Sequence, residues 1–144
     1  MRQRTGRPPG EEGYTPYEFR NVSARYGKLT ALAAVSLQVA DGERVAIFGH
    51  NGAGKTTLLK CAVGGLEDMA GEVSCAGHRI EPGAVYRNTR LGIGFVPQGR
   101  VVVPEMSVRD NLELGAHILN GDRGRIDAAL DRIGAQPNWV DAVA

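Results

Sequence analysis

The chain has 144 residues, which at roughly 100–200 residues per domain is room for one domain. Hydrophobic residues make up 42% and glycine numbers 20, about twice its ordinary usage of ~7%, a composition that excludes a disordered acidic or basic tail protein. Seventeen basic against sixteen acidic side chains leave a formal charge of +1, so no whole-chain attraction to nucleic acid or anionic lipid is expected and any anion binding must be local.

Residues 1–13 hold three arginines, two prolines, three glycines and two glutamates, with nothing to offset the entropy of ordering, and read as a flexible leader. They contain no apolar core of a secretory signal. Residues 14–144 read as one folded portion. Phe19, Val22 and Tyr26 mark a first short strand, and Leu32, Val35, Leu37 and Val39 alternate as a second before the Asp41-Gly42 turn. Arg44 to Phe48 is an apolar run bounded by turn signals, which suits a buried strand. Runs of this kind are far short of the roughly 20 apolar residues that cross a bilayer, so no membrane span is expected. A helix should follow from about Lys55 to Val63, closed by Gly64-Gly65. Gly71 to Cys75 reads as a strand turning at Ala76-Gly77, and Gly92 to Val96 as another buried strand stopped by Pro97. Beyond Pro104 the pattern becomes helical. Ser107 and Asp110 have the spacing of a capping box, with Val108, Leu112, Gly115 and Leu119 on one face and Ile126, Leu130 and Ile133 on a second amphipathic stretch. Strand, helix, strands and then helices indicate an α/β layer. Cys61 and Cys75 show no metal-ligand spacing and read as buried small hydrophobes.

The strongest chemical signal is Gly49-His50-Asn51-Gly52-Ala53-Gly54-Lys55-Thr56, which matches G-x-x-x-x-G-K-[ST] at every fixed position, after an expected strand and opening an expected helix. Polyphosphate is densely negative and must be met by backbone. Glycines 49, 52 and 54 allow that approach, and the loop amides can form a nest at the positive end of a helix. Lys55 adds a point charge for the β and γ phosphates. The Thr56 hydroxyl is a hard oxygen donor suited to Mg²⁺. Asn51, Ala53 and Thr57 complete the set expected to contact the nucleotide, with ATP and Mg²⁺ as the ligands.

Together these residues resemble the nucleotide-binding subunit of an ABC transporter. The resemblance implies a P-loop NTPase fold of the ABC type, α/β, incomplete here, with a small antiparallel β subdomain at the N-terminus. It implies that Tyr26, in Arg25-Tyr26-Gly27-Lys28, stacks on adenine. It places Gln98, after Gly92-Ile93-Gly94-Phe95-Val96-Pro97, in the family's Q-loop, near Mg²⁺ and the attacking water, with Lys55 and Gln98 as the catalytic residues. Leu91-Gly92-Ile93-Gly94, Val96-Pro97-Gln98-Gly99-Arg100 and Pro104 to Leu112 resemble the ATP-binding subunits of branched-chain amino-acid importers. His50 departs from the family, where proline is common, and its side chain is expected to point away from the cradle. The implied partners are a second nucleotide-binding subunit and transmembrane permease subunits, with no nucleic acid. The implied location is the cytoplasmic face of the inner membrane.

The resemblance covers about residues 17–120. The family's signature Leu-Ser-Gly-Gly-Gln, its strand ending in Asp-Glu and its switch histidine do not occur in these residues. Val101-Val102-Val103-Pro104-Glu105 is broken by proline and is not that strand, and His50, His78 and His117 lie at the wrong places for the switch. The expectations are negligible hydrolysis by this chain alone and poor solubility or self-association. Two other readings remain open: a nucleotide-binding module without catalysis, and another P-loop enzyme such as a small kinase.

Overall fold

A computed structural model of the chain describes residues 17–99, 101–116 and 123–134. The chain separates into two compact units, with the boundary after Gly94. The expected leader, Arg100, His117 and Leu119 lie outside the described residues.

The first unit is built on a four-stranded antiparallel sheet of order β2-β1-β3-β4. Its strands are β1 (Tyr17–Tyr26), β2 (Leu29–Val39), β3 (Met69–Cys75) and β4 (His78–Arg79). This is the expected small antiparallel sheet. Side chains on β1 alternate across the sheet, yet Phe19, Val22 and Ala24 are all buried, a spacing of three and then two. The extra residue is Asn21, whose positive φ of 49° makes a bulge that resets the phase. β2 carries the matching irregularity at Ala34, φ 48°, which is why its inward residues run Leu32, Val35, Leu37 and Val39. Serines across the ladder satisfy both displaced amides. Asn21 N–H donates to Ser36 Oγ and Ala34 N–H to Ser23 Oγ, each at 2.9 Å. The bulge also dictates a residue on β3. Gly71 sits against it at φ +87°, and a Cβ there would collide with the Asn21 carbonyl and lie 2.6 Å from that of Arg20.

Helix α1 (Lys55–Ala62) covers this sheet, burying Leu58 and Cys61 with Phe19, Val22, Leu32, Val73, Cys75 and Ile80. Both cysteines are buried and free, as expected. The Tyr17 hydroxyl donates to the Ala62 carbonyl at 2.8 Å and ties the start of β1 to the end of α1. α1 ends where expected, with Gly64 left-handed at φ 71°. A second tie follows through α2 (Val85–Thr89). Asn88, 2% exposed, donates from Nδ2 to the carbonyls of Val63 and Glu81 at 3.1 and 2.8 Å and accepts from Glu81 N–H at 3.1 Å.

Two expected strands are not strands. Residues 44–48 pair with nothing among the described residues and lie exposed, Phe48 at 89%. The reason is that a strand exists only through its ladder; the sheet ends at β2 and β4, and neither edge strand pairs with this run. Residues 92–96 likewise form no ladder, although Leu91 and Ile93 pack on the core while Gly92 and Gly94 are exposed. The period-two burial survives without the hydrogen bonds.

In the second unit, α3 (Val108–Gly115) begins at Ser107 as expected. Ser107 Oγ accepts from Asp110 N–H at 3.1 Å, and the Asp110 carboxylate reaches back to Ser107 N–H at 3.4 Å. The expected face of α3 is not buried: Val108 is half-buried, while Leu112 and Gly115 are exposed. In α4 (Arg123–Arg132) Ile126 and Leu130 are buried. Ile133 is 77% exposed because the helix stops one residue before it. Arg109 pairs with Asp127 at 2.9 Å between these two helices. Val101–Glu105 forms no strand.

Candidate phosphate-binding loop

Residues 49–56 run from the unpaired segment 44–48 into α1. Gly52 and Gly54 adopt φ of 85° and 87°, conformations that other residues rarely enter. Gly54 is additionally held by packing. A Cβ there would lie 2.8 Å from the Ala31 carbonyl oxygen and 2.9 Å from Leu32, so the loop rests on the start of β2. At Gly49 a Cβ would meet that of Ala53 at 3.0 Å.

Gly54 is the N-cap of α1, and no side chain caps the helix. Its carbonyl accepts from Leu58 N–H at 2.8 Å, which opens the helical ladder. The first-turn amides therefore gain nothing from a capping side chain and face whatever anion the loop admits. Ala53 N–H turns back to the His50 carbonyl at 3.2 Å. Lys55 Nζ donates to the carbonyls of Gly49 and His50, both at 2.8 Å, so its ammonium reaches back across the loop to where the loop begins. His50 is exposed, its Nδ1 2.8 Å from the Asn51 carbonyl. Thr56 is exposed and Thr57 is buried.

Tyr26 closes β1 opposite Leu29 and is 43% exposed. The Lys60 ammonium of α1 lies over its ring, 5.8 Å from the centroid. This contact is not foreshadowed by sequence spacing, since its two residues lie on separate elements, α1 and the end of β1. Gln98 is exposed and belongs to the second unit. In that unit Asn111 pins the preceding loop to α3: its side chain accepts from Val103 N–H at 2.7 Å and donates to the Val103, Met106 and Ser107 carbonyls at 3.0–3.2 Å. Among the described residues no three His, Cys, Asp or Glu side chains gather as a metal site, and no helix is long and apolar enough to cross a membrane.

Residues 32–143 match the family described as ABC transporter. A probable ABC transporter ATP-binding protein of Azorhizobium caulinodans is 37% identical over 112 residues, 78% of this chain and 40% of that protein. The ribose import ATP-binding protein RbsA of Shigella dysenteriae is 32% identical over 133 residues, 88% of this chain and 27% of that one. Nod factor export ATP-binding protein I of Burkholderia orbicola is 40% identical over 97 residues, 67% and 31%. The chain thus spans 40% or less of these relatives' lengths. The fold is that of a nucleotide-free ATP-binding cassette from an ABC transporter, solved by crystallography, with a TM-score of 0.76 at 23% identity over 90% of this chain and 58% of that one.

Proposed function

Because the chain belongs to the ABC transporter family, we propose that it carries the phosphate-binding end of an ATP-binding subunit, holding Mg·ATP so that binding and hydrolysis of the nucleotide drive a solute through a membrane partner. One observation carries this reading: a glycine loop with two left-handed residues leads into a helix whose N-terminus no side chain caps, with a lysine ammonium across it. Such a cradle suits an anion of high charge density.

The residues present fit the nucleotide and its metal. The amides of Gly52 to Thr57, that of Ala53 once released from the His50 carbonyl, and the Lys55 ammonium would hold the phosphates, and the exposed Thr56 hydroxyl would be a hard oxygen ligand for Mg²⁺. Bound Mg²⁺ would supply neutralisation of charge on the phosphate oxygens. Lys55 must release the Gly49 and His50 carbonyls to engage a phosphate, exchanging two neutral acceptors for an anionic one. Tyr26 would take the adenine on its exposed ring.

The proposed solute is a branched-chain amino acid, taken up by import. The amino acids at 91–94, 96–100 and 104–112 support it, while the relatives, a ribose import protein and a Nod factor export protein, serve other solutes. The partners would be a second ATP-binding subunit and permease subunits at the cytoplasmic face of the membrane. Calorimetric titration of the chain with Mg·ATP tests the nucleotide reading. Binding is expected for the wild type, with a loss of at least tenfold for Lys55→Ala; no heat from the folded wild type refutes it. Uptake of labelled leucine and of ribose by cells deleted for the gene tests the solute, with leucine uptake alone expected to fall.

A further inference from the structure

Lys60 lies in the last turn of α1, five residues after Lys55, which is about 7.5 Å along a helix rising 1.5 Å per residue. Its ammonium is over the Tyr26 ring at 5.8 Å, within the roughly 6 Å where a cation is attracted to an aromatic face. The Tyr26 backbone is set by the ladder to Leu29 and by the Arg25 amide bonded to the Asp68 carbonyl at 3.0 Å. The ring itself is no part of the core and stays 43% exposed. The ammonium thus restrains rotation about the side chain from one face, while close to half of the residue stays accessible to a ligand.

We infer that Lys60 is a positioning residue for base recognition. It holds the Tyr26 ring in a fixed plane from the same rigid helix whose first turn meets the phosphates. The span between base platform and phosphate cradle is then set by α1, and the cation, drawing π density toward itself, favours an electron-rich purine on the open face. This rests on the reading that Tyr26 stacks on the base. It differs from a structural role because phosphate binding alone should not sense it.

The test is titration of the full 144-residue chain with Mg·ATP and, separately, with Mg·tripolyphosphate, which has no base. Lys60→Met is expected to weaken ATP two- to fivefold, the fold-change of an exposed cation–π contact, and to leave tripolyphosphate affinity unchanged. Lys60→Arg should restore ATP binding, and Lys60→Gln replaces the methionine variant if that variant misfolds. On a Tyr26→Ala background Lys60→Met should add no further loss. Equal weakening of both ligands, no weakening of ATP, or a loss that persists without Tyr26 overturns the inference while leaving Tyr26 stacking intact. If Tyr26→Ala leaves ATP affinity unchanged, the stacking reading itself falls and this inference with it.

Discussion

At Gly54 two independent constraints meet. The backbone is left-handed at φ 87°, and the space a Cβ would occupy is taken by the Ala31 carbonyl and Leu32. Gly54→Ala therefore strains the loop and pushes it off β2, and should remove nucleotide binding as well as lower the melting temperature, measured by titration and calorimetry. Asn88 is a different kind of residue, polar and buried because each of its polar atoms is bonded. Asn88→Ala would leave the Glu81 amide and the Val63 and Glu81 carbonyls without these partners, at a cost of about 2–3 kcal/mol in chemical denaturation. Neither spacing nor composition singles out Asn88, since its partners are backbone groups brought close by the turn after β4 and the end of α1.

Among the elements, β1 and α3 show opposite relations between sequence and structure. The α3 start is local: serine, two residues, then an acid, and the capping box forms as written. Ser107→Ala should cost about 1 kcal/mol, read as faster hydrogen exchange at the Asp110 amide. The β1 bulge is not local. It is shared by three strands, with serine hydroxyls repairing the ladder on one side and Gly71 making room on the other. Gly71→Ala should destabilise the first unit by more than about 1 kcal/mol, because the replacement is incompatible with both the φ and the space.

For the whole chain, the buried titratable groups give a pH dependence. Burial, with a lesser contribution from Cys75, pushes the Tyr17 phenol well above its usual range, and burial raises the Cys61 and Cys75 thiols. The folded state keeps protons that the unfolded chain releases. That contribution to stability is complete below the ordinary thiol and phenol values, about 8.5 and 10, and is lost as pH rises above them. Denaturation midpoints should fall from about pH 9 upward, and both thiols should resist alkylation until the chain unfolds. Residues 44–48 give a second consequence at this scale. Val45, Ile47 and Phe48 are exposed on an unpaired backbone, a template for strand pairing between molecules. Sedimentation velocity should show concentration-dependent association, reduced by Phe48→Lys.

The glycine loop, the strands at 17–26 and 29–39, the extent of α1 and the α3 cap were legible from the amino acids alone, because each is specified within about ten residues by glycines, alternation or capping spacing. The sequence by itself therefore determined the glycine backbone of the loop and the family likeness. Only the tertiary structure decided that the apolar runs at 44–48 and 92–96 are not strands, that Ile133 falls outside α4, and that Lys60 lies over Tyr26. Those outcomes depend on which backbone groups and faces meet across the fold, and apolar character specifies that a segment prefers burial without naming the partner that buries it.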